Sequence, residues 1–143
     1  MQFIDTHSHL YSEQFDKDRS KVVSDAIALG VTTFLLPNIS SNYTERMLTL
    51  CSEFPNNCFP MIGLHPCDVR EENYDEEIAH VVEQLAAGNY IGVGEIGLDL
   101  YWDKTTLEIQ KKAFIFQVEL AKKHQLPIAI HVRDSFNEAI EII

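Results

Sequence analysis

The chain has 143 residues, of which 45% are hydrophobic and 23% charged, the balance of an ordinary globular domain with a core of its own. Its formal charge of −11 argues against a conventional basic DNA-binding module, because phosphate binding rests largely on lysine and arginine, but it leaves open a phosphodiester substrate held by divalent metals that reverse the local field. No apolar run approaches the ~20 residues needed to cross a bilayer, and no basic segment followed by a long apolar run opens the chain, so neither a membrane span nor a signal peptide is expected.

FIDTHSH, beginning near residue 3, is apolar at the front and reads as a first strand. KVVSDAIALG follows with Val22, Val23, Ala26, Ile27 and Leu29 on one helical face, and Gly30 suits the helix end. VTTFLLP is the second strand, closed by Pro37. A second helix is expected from about Asn42, with Glu45 in the position of a capping box, Met47, Leu48, Leu50, Cys51 and Phe54 facing inward, and Pro55 as its stop. CFPMIGLHP reads as the third strand and DEEIAHVVEQLAAG as the third helix, acidic at its start and followed by Gly88. YIGVGEIGL is a glycine-rich fourth strand. Thr105 and Glu108 resemble a second capping box, opening a long helix to about His124; LPIAIHV is the fifth strand, and SFNEAIEII begins a last helix.

Strands alternating with helices imply right-handed βαβ units and a parallel sheet. The expected strands start near residues 3, 31, 59, 90 and 127, so each unit takes roughly 30 residues, and eight would need the ~250 residues of a (β/α)8 TIM-type barrel. The fold class expected is therefore α/β, the N-terminal five βα units of such a barrel, interrupted after strand five. Nothing in the sequence marks a second domain, so residues 1–143 are read as one domain.

Polar residues gather where the expected strands end. His7 and His9 close the first, His65 the third (GLHP), Glu95 the fourth (GEIG) and His131 the fifth (HVRD), which places four of the six histidines there. In parallel α/β folds this rim carries the active site. Residues i and i+2 of a strand share a face, so His7 and His9 can converge on one ion. HxH alone could equally cap a strand; Asp5 nearby, with Glu95 and His131 on other rims, shifts the balance to metal. A carboxylate in an apolar strand is costly to bury alone, so Glu95 needs a cation; it can bridge two metals, or pair with Arg133. Gly94 and Gly97 would let backbone approach closely or permit a bulge.

FIDTHSHL, GLHP, GEIGLDLYW and PIAIHVRDS resemble the TatD-like metal-dependent deoxyribonucleases within the amidohydrolase superfamily of barrels. The resemblance runs through the whole chain. It implies two divalent metal ions (Mg, Mn or Zn), with His7 and His9 on the first, Glu95 bridging both as the central catalytic ligand, and His131 on the second. It also implies a further histidine at strand six and an aspartate at strand eight, neither of which has a counterpart among these residues.

The expected chemistry is hydrolysis of DNA or another phosphodiester, exonuclease-like, by a water activated between two metals. Two rival readings stand beside it: an amidohydrolase acting on an amide, ester or lactone, and a non-catalytic metal-binding or assembly fragment. His65 and Arg133 are candidates for binding substrate, His65 by hydrogen-bonding a phosphate or a water, Arg133 by forking onto a phosphate; a turn role for His65, and pairing of Arg133 with Asp99, Asp134 or Glu95, are the plain alternatives. Asp99 is expected to orient a neighbouring ligand. Tyr101 and Trp102 could stack on a base or simply pack their loop. His80 and His124 are assigned to packing or solvent. Five strands would leave an open edge and an apolar inner face, to be covered by the missing C-terminal half of the barrel or by self-association. Cys51, Cys58 and Cys67 lack ligand spacing and read as reduced thiols of a cytoplasmic protein.

Overall fold

A computed structural model describes all residues, Met1–Ile143. Five strands alternate with five helices in the order β1 (Phe3–Asp5), α1 (Arg19–Ala28), β2 (Val31–Pro37), α2 (Ser41–Glu53), β3 (Cys58–Met61), α3 (Tyr74–Ala87), β4 (Val93–Asp99), α4 (Leu107–His124), β5 (Ile128–Arg133) and α5 (Phe136–Ile140). β1, β2 and β3 pair in parallel, as do β4 and β5. The two groups are joined by a parallel bridge between Ile62 and Val93 and by the hydrogen bonds Ile62 N–H to Gly92 O (3.2 Å) and Gly94 N–H to Ile62 O (2.8 Å). The strand order β1-β2-β3-β4-β5 follows the chain, as five successive units of a (β/α)8 barrel require.

β4 lies between β3 and β5, and all seven of its residues are buried. β1 and β5 are the open sides: Phe3 and Ile4 of β1, and Val132 of β5, are exposed. A cavity of about 330 Å3 opens between them, lined by Leu35, Met61, Ile91, Ile128 and Ile130 together with His7. This is the apolar inner face expected of a barrel segment.

Two buried glutamines seven residues apart on α4 hold the strand ends in place. Gln117 accepts from Leu64 N–H (2.7 Å) and donates to Leu64 O (3.2 Å), beyond the end of β3. Gln110 does the same at Asp99, accepting from N–H (2.8 Å) and donating to O (3.0 Å). Each amide satisfies one donor and one acceptor that would otherwise be buried without a partner. Seven residues are two helical turns, so one face of α4 reaches both rims.

Several local expectations change. Leu29 and Leu48 are exposed rather than inward: Leu29 lies just past the last residue of α1, and Leu48 sits at the margin of the α2 stripe, where Met47 and Leu50 occupy the core. Neither capping box forms. The N-terminus of α2 is instead capped from a distance by the buried carboxylate of Glu77 on α3, which accepts from the Ser41 backbone N–H (2.9 Å) and hydroxyl (2.7 Å), and Asp103 rather than Thr105 opens the turn before α4, accepting from Thr105 N–H at 2.9 Å.

Candidate metal centre

The first strand stops at Asp5, before either histidine. The Asp5 carboxylate accepts from His7 N–H (3.1 Å), turning the chain out of the sheet, and Ser8 N–H returns to Leu35 O (3.1 Å). His7 and His9 therefore project from a loop rather than from a strand face, and it is this loop, not strand pleating, that brings them together. Glu95 is likewise inside β4, two residues from its start, rather than at its end.

Close approach of β4 to β5 sets the position of Glu95. The pairing slips between Val93 and Ile96, which is the bulge that the flanking glycines permit. A Cβ on Gly97, whose φ is +142°, would lie 2.0 Å from the His131 carbonyl oxygen, and one on Gly94 would lie 2.7 Å from Ala129 Cβ. Only glycine tolerates that combination of backbone angle and contact at Gly97. On the other side, Asn38 joins β2 to β4, donating its N–H to Gly94 O (2.9 Å) and accepting from Glu95 N–H (2.9 Å).

The two oxygens of Glu95 serve two different sets of imidazoles. Oε2 lies 2.9 Å from His7 Nε2 and 3.1 Å from His9 Nε2, and those two nitrogens are 3.3 Å apart. Oε1 lies 3.0 Å from His131 Nδ1, with His65 Nε2 at 3.8 Å. A shallow cavity of about 270 Å3, lined by His9, Tyr43, His65, Asp68 and Glu95, opens onto this cluster.

Hydrogen bonding on the far side of each ring decides which nitrogens are free. The Tyr11 hydroxyl donates to Pro37 O. Its single proton is thus committed, and it accepts from His9 Nδ1–H at 2.8 Å. Neutral His9 then presents a bare Nε2 to the carboxylate oxygen. His131 is ordered similarly: Asp99 Oδ2 sits 2.9 Å from Nε2 and holds that proton, leaving Nδ1 to face Glu95. A bare nitrogen facing a carboxylate oxygen at about 3 Å repels it, so a cation belongs between the two: a proton in the metal-free protein, or a metal ion that replaces it. Donor atoms bound ~2.0–2.1 Å from one ion are themselves ~3.0–3.4 Å apart, the spacing seen here. The donor set fits a divalent metal.

His65 differs. Its Nδ1 accepts from Cys67 N–H at 3.1 Å, so the neutral ring carries its proton on Nε2. Burial lowers its pKa to about 4, against an opposing pull from Glu95, and the ring stays neutral at physiological pH. His65 is near enough to Glu95 and His131 to be counted with them as a ligand group, but its Nε2 carries a proton, which faces His131 Nδ1 at 3.2 Å, rather than a lone pair.

Burial alone would raise the pKa of Glu95. The imidazoles packed against it, His131 and His9 foremost, outweigh burial and hold the carboxyl far below the usual range. Asp99 is also lowered: its burial is outweighed by the hydrogen bond to His131 and by the backbone N–H groups of Tyr101 and Trp102. His131 is raised, chiefly by the Glu95 hydrogen bond and, against burial, by Asp99.

Of the residues expected at the site, His7, His9, His65, Glu95, Asp99 and His131 are brought together. Arg133 is not. It forms no ion pair with Asp99, Asp134 or Glu95, and its guanidinium stacks 3.7 Å from the Tyr101 ring centroid. His80 packs between helices, 2.8 Å from the Thr44 hydroxyl. Tyr11 escaped the sequence reading. The signal was the spacing in HSHLY, which puts Tyr11 two residues beyond His9.

A parallel barrel segment that gathers three imidazoles around one buried carboxylate offers the donor set of a metal centre. The chain belongs to the TatD family: the family model described as TatD related DNase matches residues 4–143. The chain is 34% identical over 139 residues to a protein of Bacillus subtilis named "Uncharacterized metal-dependent hydrolase YabD", covering 97% of this chain and 54% of that one. It is 32% identical over 136 residues to the "3'-5' ssDNA/RNA exonuclease TatD" of Pectobacterium atrosepticum, covering 94% and 52%. Among solved structures it resembles YjjV, a TatD homologue from Escherichia coli, with a TM-score of 0.82, 27% identity and coverage of 97% of this chain and 54% of that one. The chain thus spans about half the length of the relatives it matches.

Proposed function

We propose that these residues form part of the active site of a metal-dependent phosphodiesterase that trims single-stranded nucleic acid. His7, His9 and Glu95 Oε2 would hold one divalent ion, and Glu95 Oε1 with His131 Nδ1 would hold a second. The observation that carries this reading is the division of Glu95, with one oxygen for each set of imidazoles. Three histidines beside one carboxylate favour zinc or manganese over magnesium.

Bound divalent ions supply Lewis acidity at the phosphoryl group and lower the pKa of water to generate the nucleophile. The chain's own residues prepare that chemistry. Tyr11 holds the His9 proton on Nδ1 and Asp99 holds the His131 proton on Nε2, so that both rings turn lone pairs inward. Glu95 stays ionised at any physiological pH. His65, fixed through Cys67 N–H, holds its Nε2–H 3.2 Å from His131 Nδ1; with that nitrogen occupied by a metal, the N–H would be left for a phosphate oxygen. The relatives named as 3'-5' ssDNA/RNA exonucleases supply the substrate class. The open edges of β1 and β5 call for cover, either by further βα units, which would add the remaining ligands that the family resemblance implies, or by self-association. The three unpaired thiols suit a reducing compartment, and we place the protein in the cytoplasm.

The test is cleavage of a labelled single-stranded oligonucleotide by the complete protein with Mn2+, Zn2+ or Mg2+, beside a panel of amides, esters and lactones. Phosphodiester cleavage abolished by chelator and by His7→Ala and Glu95→Ala is the expected result. Hydrolysis confined to carbonyl substrates would replace it with an amidohydrolase.

A further inference from the structure

The loop after β4 carries two large aromatic side chains in the open. Tyr101 is 51% exposed and Trp102 is 71% exposed, and their rings meet edge to face at 4.7 Å between centroids and 87° between planes. Burial does not hold them in this arrangement. Arg133, from the end of β5, lies over Tyr101 and 5.4 Å from the centroid of Trp102. Beside Trp102 a cavity of about 160 Å3 is walled by Arg70, Asp99, Asp103, Thr106 and Gln110.

The position of this pair is tied to the metal centre. Asp99 Oδ1 accepts from the backbone N–H groups of Tyr101 (3.0 Å) and Trp102 (3.4 Å), while Oδ2 of the same carboxylate holds His131 Nε2 at 2.9 Å. One side chain therefore fixes both a candidate ligand and the loop that displays the rings. Leu100 N–H to Arg133 O (2.9 Å) fastens the loop to β5 as well.

We infer that Tyr101, Trp102 and Arg133 form a platform for one nucleobase of a single-stranded substrate, holding the nucleotide beside the scissile phosphate. This rests on the phosphodiesterase reading of the site. An exposed indole face offers sequence-tolerant stacking, because every base has a π face. Arg133, occupied on one side by Tyr101, keeps its guanidinium edge available to a phosphate oxygen. A base paired within a duplex is stacked on its neighbours and cannot lie flat on the indole without leaving the helix, so the platform selects single strands and frayed ends. It also gives an acidic chain a means of gripping nucleic acid that does not depend on a basic surface.

Trp102 is the one tryptophan in the 143 residues, which makes its emission a direct report. The difference in fluorescence between the complete wild-type protein and Trp102→Phe isolates it if other tryptophans are present. A single-stranded oligothymidylate is expected to quench that emission, and an abasic deoxyribose-phosphate oligomer of equal length is not. Trp102→Ala should weaken oligothymidylate binding, read by anisotropy of a labelled oligomer, about 10-fold or more, and Trp102→Phe should restore most of it. Equal quenching by both oligomers, or by neither, overturns the platform, while continued metal-dependent cleavage of the abasic oligomer would leave the phosphodiesterase standing. Failure to cleave either oligomer overturns that reading and the platform with it.

Discussion

The Tyr11 hydroxyl fixes the tautomer of His9. Because it donates to the Pro37 carbonyl, it can only accept from His9 Nδ1–H, at 2.8 Å, and the free nitrogen of that ring must be Nε2, which faces Glu95 Oε2 at 3.1 Å. Asp99 performs the same service for His131 from the other side. Both candidate metal positions are thus prepared by residues that touch no metal themselves, as is usual where histidine ligands are oriented by an outer partner.

Tyr11→Phe removes this anchor while preserving most of the ring's volume. Divalent-metal affinity, measured by isothermal titration of the metal-free protein, should fall about 10-fold, within the range typical of such outer partners. The same variant should lose about 1–3 kcal/mol in chemical denaturation, because Tyr11 is fully buried and the Pro37 carbonyl is left without its donor.

Metal uptake should release protons. In the metal-free protein both nitrogens of His131 face carboxylates, at 3.0 and 2.9 Å, and its pKa is raised by Glu95 and Asp99 against burial. The folded ring therefore keeps its second proton to a higher pH than a free histidine, and a metal at Nδ1 must displace it. Affinity should weaken as pH falls through and below that raised pKa and level off above it. Titrations in two buffers of different ionisation enthalpy read the protons released. Equal heats in both buffers at about pH 6.5, the ordinary histidine value, would contradict the assignment of Nδ1.

Gln117→Leu keeps the size of a buried side chain but leaves the Leu64 N–H and C=O unpaired beneath α4. Each such group costs about 1–3 kcal/mol, so denaturation should show a loss of several kcal/mol. Leu64 immediately precedes His65, so the variant should also disturb the His65 ring, visible as a shift of its imidazole resonances. Gln125, exposed just beyond the end of α4 in a left-handed conformation, supplies the control. Gln125→Asn keeps an amide side chain that tolerates that backbone geometry, and it should leave both stability and the His65 resonances unchanged.

Periodicity carried the fold a long way. Runs such as VTTFLLP and LPIAIHV locate β2 and β5 to within a few residues, because β-branched and apolar runs between helical stretches have few other solutions in a parallel sheet. Local capping was less legible. Glu45, in a helix expected from about Asn42, looked like part of a self-contained cap, yet the N-terminus of α2 takes its cap from Glu77, 36 residues away from Ser41, and no local pattern encodes a tertiary partner. The site was legible in its chemical types: His7, His9, Glu95 and His131 do converge, although neither the histidine pair nor Glu95 stands at a strand end as expected. What the sequence could not show was the route. Asp5 ends β1 early and a loop delivers the HxH pair, and Arg133 turns to Tyr101 instead of the carboxylates because a stacked guanidinium gains cation–π contact without giving up solvent.

The central claim is that Glu95 is shared between two ions, one with His7 and His9 and one with His131. Anomalous diffraction from crystals of the complete protein soaked in Mn2+ tests it most directly. Two peaks are predicted, ~3.5–4 Å apart, one beside His7 Nε2, His9 Nε2 and Glu95 Oε2 and the other beside His131 Nδ1 and Glu95 Oε1, with both weakened in Glu95→Gln. A single peak away from Glu95, or a carboxylate bonded only to protonated imidazoles at saturating metal, would contradict it.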